Sequence, residues 1–229
     1  MLDIKIKTFL ILIFVLVLSG CSQEIDVRNI SDFEKTVVAI CHSKPDTKTI
    51  LGTGFIVASK GIVVTADHVI TDKEGRIFNR LFALRPNYPE VEPFQLSVVK
   101  RFRKGSKGRD ISILKIVSDC SRLNLSYMPV GEKPAIGDPV LIVGFPLVFN
   151  KVYSWPLFRS GIVASTRYNV DNSSILLLDL PPVNGYSGSP VISLKTLKVV
   201  GIYKGHSKDR PKTNFSIATI LEKCDIPSL

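Results

Sequence analysis

Residues 53–70 read TGFIVASKGIVVTADHVI: two short segments rich in Val and Ile, a Lys-Gly turn between them, and a histidine just beyond the second. Runs of four to eight apolar and β-branched residues bounded by turn formers read as strands, and nothing here keeps a 3.6-residue period. The stretch therefore predicts two strands, with a helical turn after Thr65.

The same pattern continues in both directions. TVVAICHS, FQLSVVKRF, DISILKIV, DPVLIVGFP, RSGIVASTR, SSILLLDL, SPVISL, KVVGIYKG and TNFSIATI are short, apolar and separated by turn residues, which brings the candidate strands to eleven. Strands at this spacing with almost no helical periodicity predict an all-β sandwich or barrel. A second short helical piece is expected near residues 221–224. Polar residues and turns interrupt the strands near residues 123–130, so two similar β units are expected, over 35–126 and 127–229.

Composition fits that picture. A chain of 229 residues that is 45% hydrophobic and 22% charged is globular rather than disordered. Its N-terminus stands apart: Lys5 and Lys7 precede the ten apolar residues FLILIFVLVL, then Ser19, Gly20 and Cys21. Ten residues are too few for a membrane span, which takes about 20, but suit a secretion signal. Leu18-Ser19-Gly20-Cys21 resembles the lipobox of bacterial lipoproteins. That resemblance implies removal of residues 1–20, acylation of Cys21, a polar tether over 21–34 and a lipid-anchored protein outside the cytoplasmic membrane.

Losing residues 1–20 takes Lys5, Lys7 and Asp3 from 30 basic and 20 acidic side chains, leaving 28 and 19 and a net charge of +9. Part of the excess lies in KRFRKGSKGR, residues 100–109, which reads as a solvated loop; apposition to anionic lipid is a second reading. A single Phe102 and no accompanying motif argue against nucleic acid as a partner. Cys41, Cys120 and Cys224 have no metal-ligand spacing, so no zinc site is expected. At most one disulfide can form among them, and the pairing stays open.

The chemistry centres on VNGYSGSPVI, residues 183–192. A serine hydroxyl is nearly inert at neutral pH, so Ser187 needs a base within reach and a third group to orient that base. Of three histidines, His42 lies in a strand and His206 in a polar turn, whereas His68 follows an apolar strand in a position to face a cleft. Asp67 adjoins His68, but side chains of neighbours diverge along an extended chain. Asp110, heading the strand ISILKIV, is better placed to accept the imidazole N–H. Gly185 frees the backbone so that the N–H groups of Gly185 and Ser187 can converge on one point, as an oxyanion site requires.

TGFIVASKGIVVTADHVI, GRDISILKI and NGYSGSPVI, in the order His, Asp, Ser, resemble the trypsin-like serine endopeptidases of the chymotrypsin fold. VGEKPAIGDPVLIVGFP, RSGIVASTR, KVVGIYKG and NFSIATI are similar to second-barrel segments of the bacterial HtrA or Deg branch. The resemblance covers about residues 35–222. It implies two Greek-key six-stranded β-barrels with the site in the cleft between them, His68 as base, Asp110 as orienting acid, Ser187 as nucleophile and the Gly185 and Ser187 N–H groups as oxyanion hole. Pro181, Pro182, Val183 and Asn184, with Ile202, Tyr203, Lys204 and Gly205, are expected to line the cleft for a protein or peptide substrate. No cofactor or metal is expected.

Departures from the family pattern carry information. Tyr186 stands where the HtrA branch usually has asparagine, and its bulk could narrow the site or hold the oxyanion turn inactive. GYSGSP is similar to the staphylococcal glutamyl endopeptidases, but those carry histidine where Tyr203 stands, which leaves only Lys204 to favour an acidic side chain. Barrel-like sequence runs to about Ile220, so the PDZ domain common in the HtrA branch is expected to be absent. The α/β-hydrolase esterases are disfavoured, because they place serine before histidine and need glycine where Ser189 stands. A protease-fold lipoprotein that binds peptides without turnover is the alternative function.

Overall fold

The computed structural model describes residues 30–44, 47–85, 92–102, 109–118, 120, 125–148, 151–152, 155–170, 173–205 and 214–227. The expected signal segment and Cys21 lie outside this set, as do His206 and most of the basic run. The opening stretch forms β2 (Ile50–Ala58) and β3 (Ile62–Thr65), paired antiparallel with Phe55 opposite Val64. Gly61 turns the chain at φ +76°, and a Cβ there would lie 2.5 Å from Cys120 Sγ, so glycine is required twice over.

Four more strands close the first barrel: β1 (Val37–His42), β4 (Leu81–Leu84), β5 (Phe94–Phe102) and β6 (Ile111–Ile116), in the order β1-β2-β3-β6-β5-β4 with β4 returning to β1. The second barrel contains β7 (Pro139–Gly144), β10 (Leu157–Val170), β11 (Ser173–Leu178), β12 (Pro190–Ser193), β13 (Val199–Gly205) and β14 (Ser216–Ile220), in the order β10-β11-β14-β13-β12-β7 with β7 returning to β10. A two-stranded ribbon, β8 (Leu147–Val148) and β9 (Lys151–Val152), projects between β7 and β10. The chain is thus all-β with two closed six-stranded barrels, as the sequence predicts.

Residue alternation explains how the barrels join. Along β7, Val140 and Ile142 face the interior of the second barrel, whereas Leu141 and Val143, with Phe145 beyond the strand, belong to the larger core that fills the first barrel and the seam. A strand buried on both faces carries an unbroken apolar run, and PVLIVG is one. Val191 and Ile192 on β12 divide in the same way. The connecting segment is stitched to both units: Met128 N–H donates to Ile56 C=O (2.9 Å), and Gly131 N–H to Val199 C=O (2.7 Å).

Three local readings change. Residues 30–35, expected mostly within a polar tether, form a 3₁₀ turn (Ile30–Lys35) whose Phe33 is fully buried, so first-barrel packing starts before residue 35. The short strands β4, β8 and β9 are additional to the eleven expected. Arg101 and Arg109, read as part of a solvated loop, are paired: Arg101 with Asp67, and Arg109 with Asp225 in the C-terminal 3₁₀ turn Lys223–Asp225. Among the described residues, Cys41, Cys120 and Cys224 form no disulfide.

Candidate active site

His68 lies in a single 3₁₀ turn, Asp67–Val69, directly after β3. The turn is fixed by its first residue. Asp67, 6% exposed, accepts Arg101 Nε (2.6 Å), Arg101 Nη2 (2.8 Å) and Ser112 Oγ (2.6 Å), so β5 and β6 both grip it. A bidentate guanidinium and a hydroxyl satisfy a carboxylate that would be costly to bury alone. This is what Asp67 does in place of touching the neighbouring ring.

Asp110, 3% exposed, holds His68 at two points. Its Oδ1 accepts the His68 backbone N–H (2.9 Å) and its Oδ2 accepts the ring Nδ1–H (2.7 Å). Since the carboxylate can only accept, the Nδ1 proton is fixed and Nε2 is left as the free basic nitrogen. The side chain of His68 is 45% exposed, so that nitrogen is reachable. Lys204 from β13 brings its Nζ within 3.7 Å of the same Oδ2, across the seam. Burial by itself would raise the Asp110 carboxyl, but the bond from the His68 ring, the charges of His68 and Lys204, and the His68 N–H outweigh it and hold the group below its ordinary value of 3.8.

Ser187 lies on the turn between β11 and β12, where Gly185 and Gly188 both have positive φ, +90° and +86°. The turn is held by Thr53 at the heart of β2, a fully buried residue that sequence reading did not single out. Thr53 N–H donates to Ser187 C=O (2.8 Å), and its hydroxyl donates to Gly185 C=O (3.2 Å) while accepting Phe145 N–H (3.0 Å). Thr53 C=O accepts the Thr65 hydroxyl (2.7 Å). A Cβ on Gly188 would lie 2.1 Å from Thr53 O, and one on Gly52 would lie 2.7 Å from Ser187 O and 2.9 Å from Val69 Cγ2. The turn thus presses against the strand end that carries His68, and only glycine permits the approach.

With those carbonyls engaged, the N–H groups of Gly185 and Ser187 donate to no protein acceptor among the described residues. Tyr186 does not cover the site. Its ring is 2% exposed within the second core, its hydroxyl donates to Leu157 C=O (3.3 Å), and the Arg159 guanidinium lies 5.7 Å over its face. Burial pushes its phenol up to about 12, so it remains a donor. Among the described residues no hydrogen bond joins Ser187 to His68.

The expected cleft residues separate into groups. Pro181 and Asn184 are exposed, and Pro182 and Val183 are half-buried. Ile202 turns away into the seam core, and Tyr203 is fully buried in the second barrel. Lys204 is turned towards Asp110, and Gly205 is buried at the end of β13 with φ +88°. Among the described residues no group of His, Cys, Asp and Glu is arranged to hold a metal.

Two outcomes follow for stability. Thr53→Val keeps the shape but leaves Gly185 C=O and Phe145 N–H without their partner, at about 1–3 kcal/mol per buried group; thermal unfolding is expected to show a lower Tm, and Thr53→Ser to recover most of it. Because the Asp110 carboxyl is depressed in the folded chain, its contribution to stability is complete above the unfolded value, about 4, and is lost as pH falls through the lower folded value. Denaturant titrations from about pH 6 downwards are expected to show that acid loss in the wild type and a smaller one in Asp110→Asn.

Known proteins resemble this chain in sequence and in fold. Residues 52–202 match the family model "Trypsin-like peptidase domain". Two Pseudomonas putida proteins described as "Probable periplasmic serine endoprotease DegP-like" are each 30% identical, over 156 and 158 residues; the alignments take in 66% of this chain and 28% of the relative. The chain therefore spans little more than a quarter of the length of these relatives. Among solved structures, the serine endoprotease from Yersinia pestis superposes with a TM-score of 0.60 at 22% identity, covering 83% of this chain and 60% of that one. The HtrA-type protease AlgW, solved with a decapeptide, gives a TM-score of 0.61 at 19% identity, covering 83% and 62%. By fold and by sequence, the chain belongs to the trypsin-like peptidase domain family.

Proposed function

We propose that the protein is a serine endopeptidase that cleaves proteins or peptides through an acyl-enzyme, with Ser187 as nucleophile, His68 as general base and Asp110 as the acid that orients the base. The observation that carries this reading is the two-point attachment of His68 to Asp110, which fixes the tautomer and leaves Nε2 as the available base. The unengaged N–H groups of Gly185 and Ser187 support the oxyanion role.

In this scheme Ser187 Oγ attacks the substrate carbonyl carbon as His68 Nε2 takes its proton. A C–O bond forms and the carbonyl electron pair moves to oxygen, where the Gly185 and Ser187 N–H groups stabilise it. Each such donor is worth about 3–4 kcal/mol of barrier. Collapse breaks the C–N bond, with His68 returning its proton to the leaving amine. Water, deprotonated by the same base, then releases the new carboxyl terminus and restores Ser187.

The lipobox-like residues before Cys21 support anchoring by lipid outside the cytoplasmic membrane, and the Pseudomonas relatives, described as probable periplasmic proteins, agree with that compartment. Nucleic acid, a metal and a cofactor have no part in the proposal. One observation favours the alternative of a peptide-binding module without turnover: Ser187 and His68 share no hydrogen bond. Apo sites often close this bond only around substrate, so the alternative ranks second.

A fluorophosphonate probe separates the two. Ser187→Ala is expected to abolish labelling, and His68→Ala to slow it by about 10⁴-fold or more. Labelling that ignores Ser187, together with no cleavage of an unfolded protein, would overturn the enzyme reading. Metabolic labelling with an alkyne fatty acid is expected to tag the wild type and not Cys21→Ser.

A further inference from the structure

We propose that Tyr203 closes the space that would receive the side chain of the residue whose carbonyl Ser187 attacks, so that the protease accepts only small side chains there: glycine, alanine or serine. This inference rests on the protease reading and deepens it. Tyr203 is the β13 residue nearest the nucleophile turn. Gly188 N–H donates to Tyr203 C=O (2.8 Å), and Tyr203 N–H donates to Ser189 C=O (2.8 Å). Val183 and Gly205, one from each of the two segments expected to flank the cleft, 181–184 and 202–205, both lie against the Tyr203 phenol.

That phenol occupies the space between them and is tied at its far end. Val183 N–H donates to the Tyr203 hydroxyl (3.3 Å), and the Tyr203 hydroxyl meets Ser216 Oγ at 2.8 Å. Ser216 Oγ in turn donates to Leu180 C=O (2.7 Å). Because Ser216 spends its proton on Leu180, Tyr203 is the donor between the two hydroxyls, and the direction of the whole chain is fixed. The ring packs edge-on against Tyr186, with centroids 6.1 Å apart, and its Cε1 lies 3.9 Å from where a Cβ on Gly205 would stand.

Tyr203 and Ser216 are both fully buried. Swinging the ring out to admit a larger group would take the acceptor from Val183 N–H and the donor from the buried Ser216 Oγ, at about 1–3 kcal/mol for a buried group. A large substrate side chain therefore meets a fixed wall. Among the described residues, two nearby cations are engaged elsewhere: Lys204 is directed to Asp110, and Arg159 is held on Pro181 C=O (2.9 Å) and the face of Tyr186.

The test compares aminoalkyl diphenyl phosphonates bearing alanine, valine, phenylalanine, lysine or glutamate side chains, alongside a plain fluorophosphonate. The alanine probe is expected to label Ser187 about 100-fold faster than the phenylalanine probe. Tyr203→Ala is expected to raise phenylalanine labelling at least about 10-fold, and Tyr203→Phe, which keeps the ring, to retain the preference for alanine. Equal rates for alanine and phenylalanine in the wild type, or an unchanged profile in a Tyr203→Ala protein with native circular dichroism, would overturn the proposal. If Tyr203→Ala does not fold, the wild-type and Tyr203→Phe profiles decide it. Absence of Ser187-dependent labelling by the plain fluorophosphonate sinks the protease reading itself, and this inference with it.

Discussion

Everything at the cleft depends on one threonine. Thr53 belongs to the first barrel, yet its N–H and hydroxyl hold the second-barrel turn by Ser187 C=O and Gly185 C=O, and the same hydroxyl accepts Phe145 N–H at the end of β7. Its remaining carbonyl is taken by Thr65, next to the turn that carries His68. A side chain with one donor and two lone pairs is the smallest that could do this within a closed wall. The barrels meet in register because their polar backbone groups find partners only in that register.

The two acids near His68 show how environment divides similar groups. Asp67 adjoins it in sequence but is saturated by Arg101 and Ser112, so its charge is spent on fixing the turn. Asp110 is distant in sequence, and the ring and backbone N–H groups of His68 both donate to it, with an ammonium group from the other barrel close by. One acid sets where the histidine stands and the other sets how its ring faces. Tyr186 follows the same logic in apolar surroundings: it fills the second core, which leaves the backbone of Gly185 and Ser187 to shape the turn.

Much of this was legible in the chain because barrel strands announce themselves by alternation. FQLSVVKRF coincides with β5, and the period-2 pattern of its first half matches its burial. Leu81–Leu84 was not legible: four residues between two arginines give too little pattern, and only pairing with β1 and β5 makes them a strand. Phe33 was hidden for a related reason, being one apolar residue in a polar segment. His68, Asp110 and Ser187 could be singled out because their neighbours carry local signals. Thr53 could not, since its partners lie at Gly185, Ser187 and Phe145, and threonine is common in strands. That Lys204 faces Asp110 across the seam was likewise not legible, since the two lie on different barrels.

The Arg109–Asp225 pair, bidentate at one end of the chain, bears on when the site comes into being. Arg109 immediately precedes Asp110, and its partner is separated from it by 116 residues; Thr53 and Gly185 are separated by 132. Contacts this distant in sequence close late, because the loop entropy must be met before they can form. A nascent chain carrying a finished first barrel has His68 and Asp110 but no turn to place against them, and the C-terminal tie is made last of all. The Ser187 turn therefore cannot meet the His68 turn until the second barrel has formed, and the Arg109–Asp225 tie waits for residue 225.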